Sequence, residues 1–283
     1  MKLVRHGLIG SERPGIIDRE GRTRDLTGLI PDVAESALLP QSLEALRGVD
    51  PMMLPPVDAS VRLGPCVGRV GKFICIGLNY SDHALESGMP VPTEPIIFMK
   101  ATSAICGPDD SVVIPRNSSK TDWEVELGVV VGTTAKYVTR EEALSHVAGY
   151  CVINDLSERA FQMEGTGQWT KGKSADTFGP VGPWLVSSDE IADPQNLSLW
   201  LEVDGHRYQN GNTGNMIFGV ASLISYLSQY MSLRPGDIIS TGTPPGVGFG
   251  FKPPIYLQPG NRIRLGIEGL GEQNQLVIAE SAG

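Results

Sequence analysis

Two segments, DWEVELGVVV (Asp122–Val131) and YCVINDLSER (Tyr150–Arg159), decide the fold and the candidate site. In the first, apolar residues alternate with Glu124 and Glu126, which is the two-residue period of a β-strand. Side chains two apart on a strand point to the same face, so both carboxylates leave the strand together, roughly 6–7 Å apart at the backbone. Asp155 follows the apolar run of the second segment and is therefore expected at a strand end. Three carboxylates from neighbouring strands would form an all-oxygen site suited to Mg²⁺, Mn²⁺ or Ca²⁺.

The alternation around Glu124 and Glu126 has a second interpretation. A strand at the edge of a sheet also shows apolar residues on its buried face and charged residues on its solvated face. These two residues alone leave both interpretations open, and the remainder of the chain has to decide between them.

The composition limits the class of protein. The 283 residues are 41% hydrophobic and 19% charged, as in ordinary globular proteins, and 34 Gly and 21 Pro favour many short strands over a helical bundle. A net charge of −9 argues against nucleic acid and anionic membranes as partners. The sequence shows no signal peptide and no apolar run long enough to span a membrane. Four cysteines without a CxxC pair indicate free thiols, and a cytoplasmic location is expected.

The first 66 residues differ from the rest and predict a small N-terminal α/β domain with a linker. Lys2–Leu8 and Gly15–Ile17 have the pattern of short strands, and Ala34–Val49 has a weak helical pattern. Four prolines between Pro51 and Pro65 then prevent a helix and indicate a connector. Residues 67–283 are predicted to form the larger, catalytic domain.

Besides the short helix described below, two helices are predicted in the larger domain. Thr139 and Glu142 form a capping-box pattern that would open a helix running through Ala148. The segment Ile217–Met231 is amphipathic, with Asn215 as its expected cap and Tyr230 among its core residues.

His83 and Glu86 lie three residues apart on a predicted short helix, so they are neighbours on one face. A carboxylate beside an imidazole fixes its tautomer and raises its basicity, as a general base requires. A solvated surface pair at the same spacing is the alternative.

Two glycine-rich loops follow these elements. Lys171 and Lys173 stand in the first, GTGQWTKGKSADTFGPVGPW, where a lysine near three carboxylates is either a site residue or only a salt-bridge partner. In the second, TGTPPGVGFG (Thr241–Gly250), glycines would let backbone N–H groups and the Thr243 hydroxyl approach an anion.

From about Lys72 to Val277 the sequence resembles the fumarylacetoacetate hydrolase family. Five ordered motifs carry the resemblance over roughly 200 residues: GLNYSDHALE, DWEVELGVV, VINDLSER, WTKGKSADTFGPVGPW and STGTPPGVG. The resemblance implies an α+β, β-rich fold, a mixed β-roll or pseudo-barrel flanked by short helices, usually in a homodimer. The first 65 or so residues resemble the small leading domain of bacterial members.

The resemblance also implies roles for individual residues. Those that match functional positions of the family are Glu124, Glu126 and Asp155 as ligands of Mg²⁺ (or Mn²⁺ or Ca²⁺), Lys173 as the site lysine, His83 with Glu86 as the dyad that activates water, and Tyr80, Arg159, Gln162 and Thr243 as substrate contacts.

The implied function is a metal-dependent hydrolase that cleaves a C–C bond of 2,4-dioxo acids to pyruvate and a carboxylic acid. Acylpyruvates and 2,4-dioxo-3-deoxy sugar acids are the candidate substrates. The alternative within the family is a lyase, decarboxylase or isomerase acting on a 2-oxo acid, such as an oxaloacetate decarboxylase or a ureidoglycolate lyase. From a different class, a non-enzymatic binding protein could hold structural Ca²⁺ in the acidic cluster, but it would need neither the dyad nor Lys173.

Overall fold

The structure, a computed structural model, describes residues 1–82 and 90–280 of the chain. Its strands, in chain order, are β1 (Lys2–His6), β2 (Arg13–Ile17), β3 (Thr23–Asp25), β4 (Phe73–Gly77), β5 (Ile96–Lys100), β6 (Ile105–Cys106), β7 (Val112–Ile114), β8 (Thr121–Asp122), β9 (Val125–Val131), β10 (Val147–Asn154), β11 (Ser157–Glu158), β12 (Gly179–Ser187), β13 (Ser198–Val203), β14 (His206–Asn212), β15 (Ile238–Ser240), β16 (Arg262–Ile267) and β17 (Gly271–Ala279). The α-helices of the described residues are short: α1 (Pro40–Arg47), α2 (Arg159–Met163), α3 (Trp169–Lys173) and α4 (Val220–Tyr230). The prediction of many short strands is confirmed.

The strands form two main sheets. The larger has ten strands in the order β3-β2-β1-β12-β10-β9-β15-β4-β5, with β6 paired to β12, and the smaller has the order β14-β13-β16-β17-β7. Both are mixed, because β15 pairs with β4 and β17 pairs with β7 in parallel while most other pairs are antiparallel. The predicted mixed β-roll is confirmed. Within the described residues the strands do not close into a barrel, so "pseudo-barrel" describes the fold only loosely.

Strand β9 lies in the middle of the larger sheet and is covered on both faces. Val125 and Leu127 belong to the main core, which also includes residues of β13 and α4. Val130 points to the other face and belongs to a second core that includes Leu3 and Leu43 of the N-terminal part. Since β9 is also paired with β10 on one side and β15 on the other, the edge-strand interpretation is wrong.

The N-terminal strands extend the larger sheet. Lys2 and Leu3 of β1 pair with Val186 and Leu185 of β12, so the hydrogen-bonded ladder continues from the first 66 residues into the rest of the chain. The domain boundary at residue 66 stays a prediction.

The capping box at Thr139 is present, but the predicted helix is wrong. The Thr139 amide donates to Glu142 Oε2 at 3.2 Å and the Glu142 amide donates to Thr139 Oγ1 at 3.3 Å. Only one 3₁₀ turn, Ala143–His146, follows, and β10 already begins at Val147. Pairing with β9 and β12 takes the backbone groups that a longer helix would have used, so Ala148 lies in a strand.

Helix α4 begins later than predicted. Asn215 ends a separate 3₁₀ turn, and the N-cap is Gly219. The Val220 amide instead donates to Gln195 Oε1 at 2.6 Å, so a distant side chain performs the capping. Tyr230 is 65% exposed and does not belong to the core, because it lies in the last turn, beyond the buried face.

Two expectations from composition concern cysteines and membranes. All four cysteines are free, as predicted, and all four are buried. In the described ranges, no helix has the length and apolar character needed to cross a membrane.

Buried amide side chains connect the two sheets where β9 begins and β10 ends. Gln209 of β14 accepts from the Val125 amide at 2.9 Å, and its nitrogen donates to two oxygens of the loop after β15, both at 2.8 Å. Asn154 donates to Gln275 at 3.0 Å and accepts from the Glu124 amide at 3.3 Å. These bonds fix the backbone that carries the candidate site, because buried polar groups are costly when unpaired.

Replacing Gln209 by leucine tests this connection. Gln209→Leu leaves the buried Val125 amide without its acceptor, so we expect the free energy of unfolding to fall by about 3 kcal/mol in urea denaturation. The control is Gln41→Leu on the exposed side of α1, which should change it by less than about 0.5 kcal/mol. Equal effects of the two changes would contradict the structural role of Gln209.

Candidate metal-binding active site

The three carboxylates predicted as metal ligands lie together. Glu124 immediately precedes β9, Glu126 is its second residue, and Asp155 follows β10. The two strands are antiparallel, and the Asp155 amide donates to the Glu124 carbonyl at 2.9 Å, which places these residues side by side. Each of the three residues offers an oxygen, all within 4.8 Å of one another, and all three are buried. The predicted convergence of the three carboxylates is therefore found.

Lys173 lies between two of these carboxylates. Its Nζ is 2.8 Å from Glu124 Oε2 and 2.7 Å from Asp155 Oδ2, and the residue is 1% exposed. Burial opposes its charge, but the attraction of Asp155 and Glu124 prevails and raises the pKa of Lys173. Lys173 was predicted to be either a site residue or only a salt-bridge partner. It does form salt bridges, and their carboxylates belong to the candidate site.

Lys100, at the end of β5, is a site residue that sequence reasoning missed. Its Nζ donates to Asp155 Oδ1 at 2.5 Å and to the Leu156 carbonyl at 2.9 Å, and its side chain is fully buried. Asp155 therefore has an ammonium group on each oxygen. The available signal was a single lysine closing the apolar run PIIFMK, because such a charge is rarely buried without a partner.

Arg159 connects Glu124 to a fourth carboxylate, Asp122. Its Nε donates to Asp122 Oδ2 at 2.8 Å and its NH2 group lies 2.6 Å from Glu124 Oε1. Burial opposes its charge, but attraction by the two carboxylates raises the pKa of Arg159 further. Asp122 also accepts the amides of Gly248 and Phe249, at 2.7 and 3.0 Å, and so attaches the glycine-rich loop to the site.

Glu126 is held by neutral donors. Its Oε2 accepts from the Ser240 hydroxyl at 2.6 Å and from the Gly242 amide at 2.8 Å. Burial, followed by the charges of Asp155 and Glu124, raises the pKa of Glu126. Gly242 has φ +97°, a conformation that favours glycine, so this loop does bring a backbone N–H to an anion, and the anion is the protein's own carboxylate.

A cavity of about 50 Å³ opens beside the carboxylates. Three of the four predicted substrate contacts, Arg159, Gln162 and Thr243, are among its lining residues. Tyr80 is not among them: it is fully buried, and its hydroxyl has no hydrogen-bond partner among the described residues. His83 and Glu86 lie outside the described residues.

The donor set fits a divalent cation. Glu124, Glu126 and Asp155 supply only carboxylate oxygens, which are the ligands that Mg²⁺, Mn²⁺ and Ca²⁺ prefer. The second sphere also fits, since each ligand is hydrogen-bonded by a buried donor.

Comparison with known proteins identifies the family. The model of the fumarylacetoacetate (FAA) hydrolase C-terminal domain matches residues 72–278. The chain therefore belongs to the fumarylacetoacetate hydrolase family, as its motifs suggested. A protein of Burkholderia multivorans (strain ATCC 17616 / 249), described only provisionally as a hydrolase, is 63% identical over 280 residues, or 99% of both chains.

Solved structures support the same assignment. The fumarylacetoacetate hydrolase of psychrophilic Exiguobacterium antarcticum is 37% identical, with a TM-score of 0.85 over 99% of this chain and 100% of that one. Maleylpyruvate hydrolase from Sphingobium sp. SYK-6, in complex with a manganese(II) ion and pyruvate, is 30% identical, with a TM-score of 0.82 over 99% and 100% of the chains. A 5-carboxymethyl-2-hydroxymuconate delta-isomerase from Mycobacterium smegmatis is 30% identical, with a TM-score of 0.76 over the whole of both chains. The family thus contains hydrolases and isomerases of small molecules.

Removing the ammonium of Lys100 tests its pairing with Asp155. Lys100→Met leaves a buried carboxylate oxygen and the Leu156 carbonyl without their donor, so we expect the free energy of unfolding to fall by about 3 kcal/mol in urea. Lys120→Met is the matched control, since Lys120 pairs with Glu164 at the surface and its loss should lower the free energy of unfolding far less than the loss of Lys100. A Lys100 variant as stable as the control would contradict this pairing energy.

Proposed function

We propose that the chain is a divalent-metal-dependent hydrolase that cleaves the C3–C4 bond of 2,4-dioxo acids of the acylpyruvate type, giving pyruvate and a carboxylic acid. The observation that carries the proposal is the convergence of three buried carboxylates and Lys173 at one cavity. The Sphingobium relative, which was solved with manganese and pyruvate, supports the class of metal and one of the products.

The charges of the site favour an anionic substrate once a metal is bound. The buried charged groups that form the ion-pair and carboxylate cluster of the site are the carboxylates Asp122, Glu124, Glu126 and Asp155 and the cations Lys100, Arg159 and Lys173. Counted as ionised, four negative and three positive charges leave one negative charge, and a divalent cation would turn this into one positive charge. A 2-oxo acid carries the opposite charge and would be attracted.

Glu124, Glu126 and Asp155 would hold Mg²⁺ or Mn²⁺, with Ca²⁺ as a further candidate. When bound, the cation supplies Lewis-acid stabilisation of negative charge on a substrate oxygen. Lys173 places a fixed positive charge beside the same carboxylates and would stabilise charge that develops on the oxygen at C2.

His83 and Glu86 are proposed to activate water. His83 would take a proton from a water molecule as the water oxygen attacks C4, and Glu86 would hold the imidazole in the required tautomer. The C3–C4 bond then breaks, its electron pair remains on the pyruvate fragment as an enolate, and a proton returned to C3 gives pyruvate. The other fragment leaves as a carboxylic acid.

Arg159, Gln162, Thr243 and Tyr80 are the proposed substrate contacts. The Thr243 hydroxyl donates to the Val125 carbonyl at 2.9 Å and accepts from the Gln209 side chain at 2.8 Å, so it could accept one further hydrogen bond, from the enol hydroxyl of a 2,4-dioxo acid. A homodimeric assembly and a cytoplasmic location remain predictions from the resemblance and the composition.

A small substrate panel tests the reaction. Acetylpyruvate, a fumarylacetoacetate-like acid, a 2,4-dioxo-3-deoxy sugar acid and oxaloacetate would each be incubated with Mg²⁺ or Mn²⁺ and again with a chelator, and the products identified. We expect pyruvate and a second carboxylic acid, both lost on chelation. Release of carbon dioxide from oxaloacetate alone, or isomerisation without cleavage, would replace the hydrolase by another reaction of the family. Metal binding without any turnover would favour a binding protein.

Removing one ligand tests the metal site. Glu126→Gln keeps the shape of the side chain but removes its charge. Loss of a residue that only hydrogen-bonds a metal ligand lowers metal affinity by at most about 100-fold, so loss of a ligand should lower Mn²⁺ affinity in calorimetric titration by more than that. Cleavage should be lost with it. Glu164→Gln, on an exposed acid outside the cavity, should change neither quantity. Unchanged Mn²⁺ affinity in Glu126→Gln would exclude Glu126 as a ligand.

A further inference from the structure

Few lysines and arginines lie at the cavity, although the structure describes all of them. Residues 83–89 (HALESGM) and 281–283 (SAG) contain neither residue type, so all 23 lie in the described ranges. Only two of them, Arg159 and Lys173, line the cavity in that part of the chain. His83, the proposed base, has to be uncharged to accept a proton and cannot serve as a fixed cation.

Both cavity cations are already neutralised by buried carboxylates. Arg159 donates to Asp122 and Glu124, and a further N–H donates to the Gln162 side chain at 3.0 Å. Lys173 bridges Glu124 and Asp155. These pairs hold the proposed metal-binding carboxylates. If either cation turned to a second anionic group of the substrate, a buried carboxylate would lose its counter-charge.

The neighbouring Lys171 does not supply this charge. Its residue is exposed, and its Nζ lies beside the preceding loop, 3.8 Å from the position of a β-carbon on Gly165. It is absent from the cavity lining in the described residues.

Apart from these cations and the carboxylates Glu124 and Glu126, the cavity wall is uncharged in the described residues, and its apolar part begins directly beside Lys173. The Nζ of Lys173 lies 5.1 Å from the ring centroid of Phe98. The Phe98 ring packs edge-on against Trp169, with 5.3 Å between the two ring centroids. Trp169 in turn lies on Gly77, where a β-carbon would be 2.4 Å from the indole ring, so glycine gives the ring its place. Leu78 continues the wall.

Leu78 is held in an unusual backbone conformation. Its φ is +52°, which is uncommon for a residue other than glycine and persists only where the surroundings impose it. The next residue, Asn79, is fully buried. Its side-chain nitrogen donates to the Phe218 carbonyl and, at 2.7 Å, to the Thr241 carbonyl, and its side-chain oxygen accepts from the Phe218 amide. The leucine side chain is thus held at the cavity by a rigid support.

We propose that Leu78, Phe98 and Trp169 bind the distal acyl group of the substrate, and that this group is an uncharged alkyl chain. The inference rests on the proposed function and narrows it to acylpyruvates with a single carboxylate. A second carboxylate would be buried against these side chains without a counter-charge, and the hydroxyl groups of a sugar acid would lose hydrogen bonds to water.

A matched pair of substrates tests the proposal. 2,4-Dioxoheptanoate and 2,4-dioxoheptanedioate have the same seven-carbon chain and differ only in a terminal methyl group or carboxylate. With the Mn²⁺-loaded protein, we expect kcat/KM for the dicarboxylate to be about 100-fold lower, since an unpaired charge must be desolvated. Equal or faster cleavage of the dicarboxylate would overturn this inference and leave the proposed hydrolase intact. If neither acid is cleaved, the proposed function fails and the inference with it.

Variants of the apolar wall test whether its side chains contact the distal group of the substrate. Trp169→Arg adds a cation at the half-buried end of the wall and should narrow the difference between the two acids to about 10-fold or less. Trp169→Leu removes the ring without adding charge and should keep the preference for the monocarboxylate. Leu78→Arg is the second cationic variant, should Trp169→Arg fold poorly. If a folded cationic variant shows the same ratio as Trp169→Leu, the wall does not contact the distal group.

Discussion

An unbroken chain of buried ion pairs determines the geometry of the site. Acids and bases alternate along it in the order Asp122, Arg159, Glu124, Lys173, Asp155 and Lys100. A buried charge costs several kcal/mol unless it is paired, and each inner member of this chain has a partner on both sides. Moving one member would leave its neighbours unpaired, so the chain restrains the positions of the carboxylates more closely than packing alone would. Glu126 is the exception, since neutral donors hold it and its charge adds to the net negative charge of the site.

The fold supplies these charges from distant segments. Lys100, Asp122 and Asp155 come from three different strands or strand ends, and Arg159 and Lys173 come from two short helices. The sheet makes this possible because β9 and β10 are paired along their whole length and both cores cover them. The amide side chains that link the smaller sheet to the start of β9 complete the frame, since they satisfy buried backbone groups next to the charged residues.

The sequence predicted what depends on local pattern and missed what depends on distant partners. The period of two around Glu126 and the acid closing the next apolar run indicated the carboxylate cluster, and the resemblance to the family decided between it and an edge strand. The capping box at Thr139 also formed, but a local bond cannot extend a helix when its next residues have strand partners. The cap of α4 comes from Gln195, 25 residues before Val220, and Lys100 meets Asp155 across 55 residues of sequence. The run PIIFMK marks Lys100 as a charge that needs a partner, but the identity of either distant partner has no signature in the local sequence, so both contacts required the structure.

On the proposed function, the neutralised cations and a bound metal together would account for recognition of an acid by an acidic protein. Because Arg159 and Lys173 are committed to the carboxylates, neither presents an uncompensated charge to a ligand, and the metal-free site, with every group counted as ionised, has a net negative charge. A divalent cation at Glu124, Glu126 and Asp155 would reverse that sign, so substrate affinity and metal affinity have to be coupled. By linkage the coupling is reciprocal: an acid that binds only the metal-loaded site strengthens metal binding by the same factor. If the proposed function holds, recognition of the substrate carboxylate would therefore depend on the bound metal, whereas selection among substrates would be left to the apolar wall.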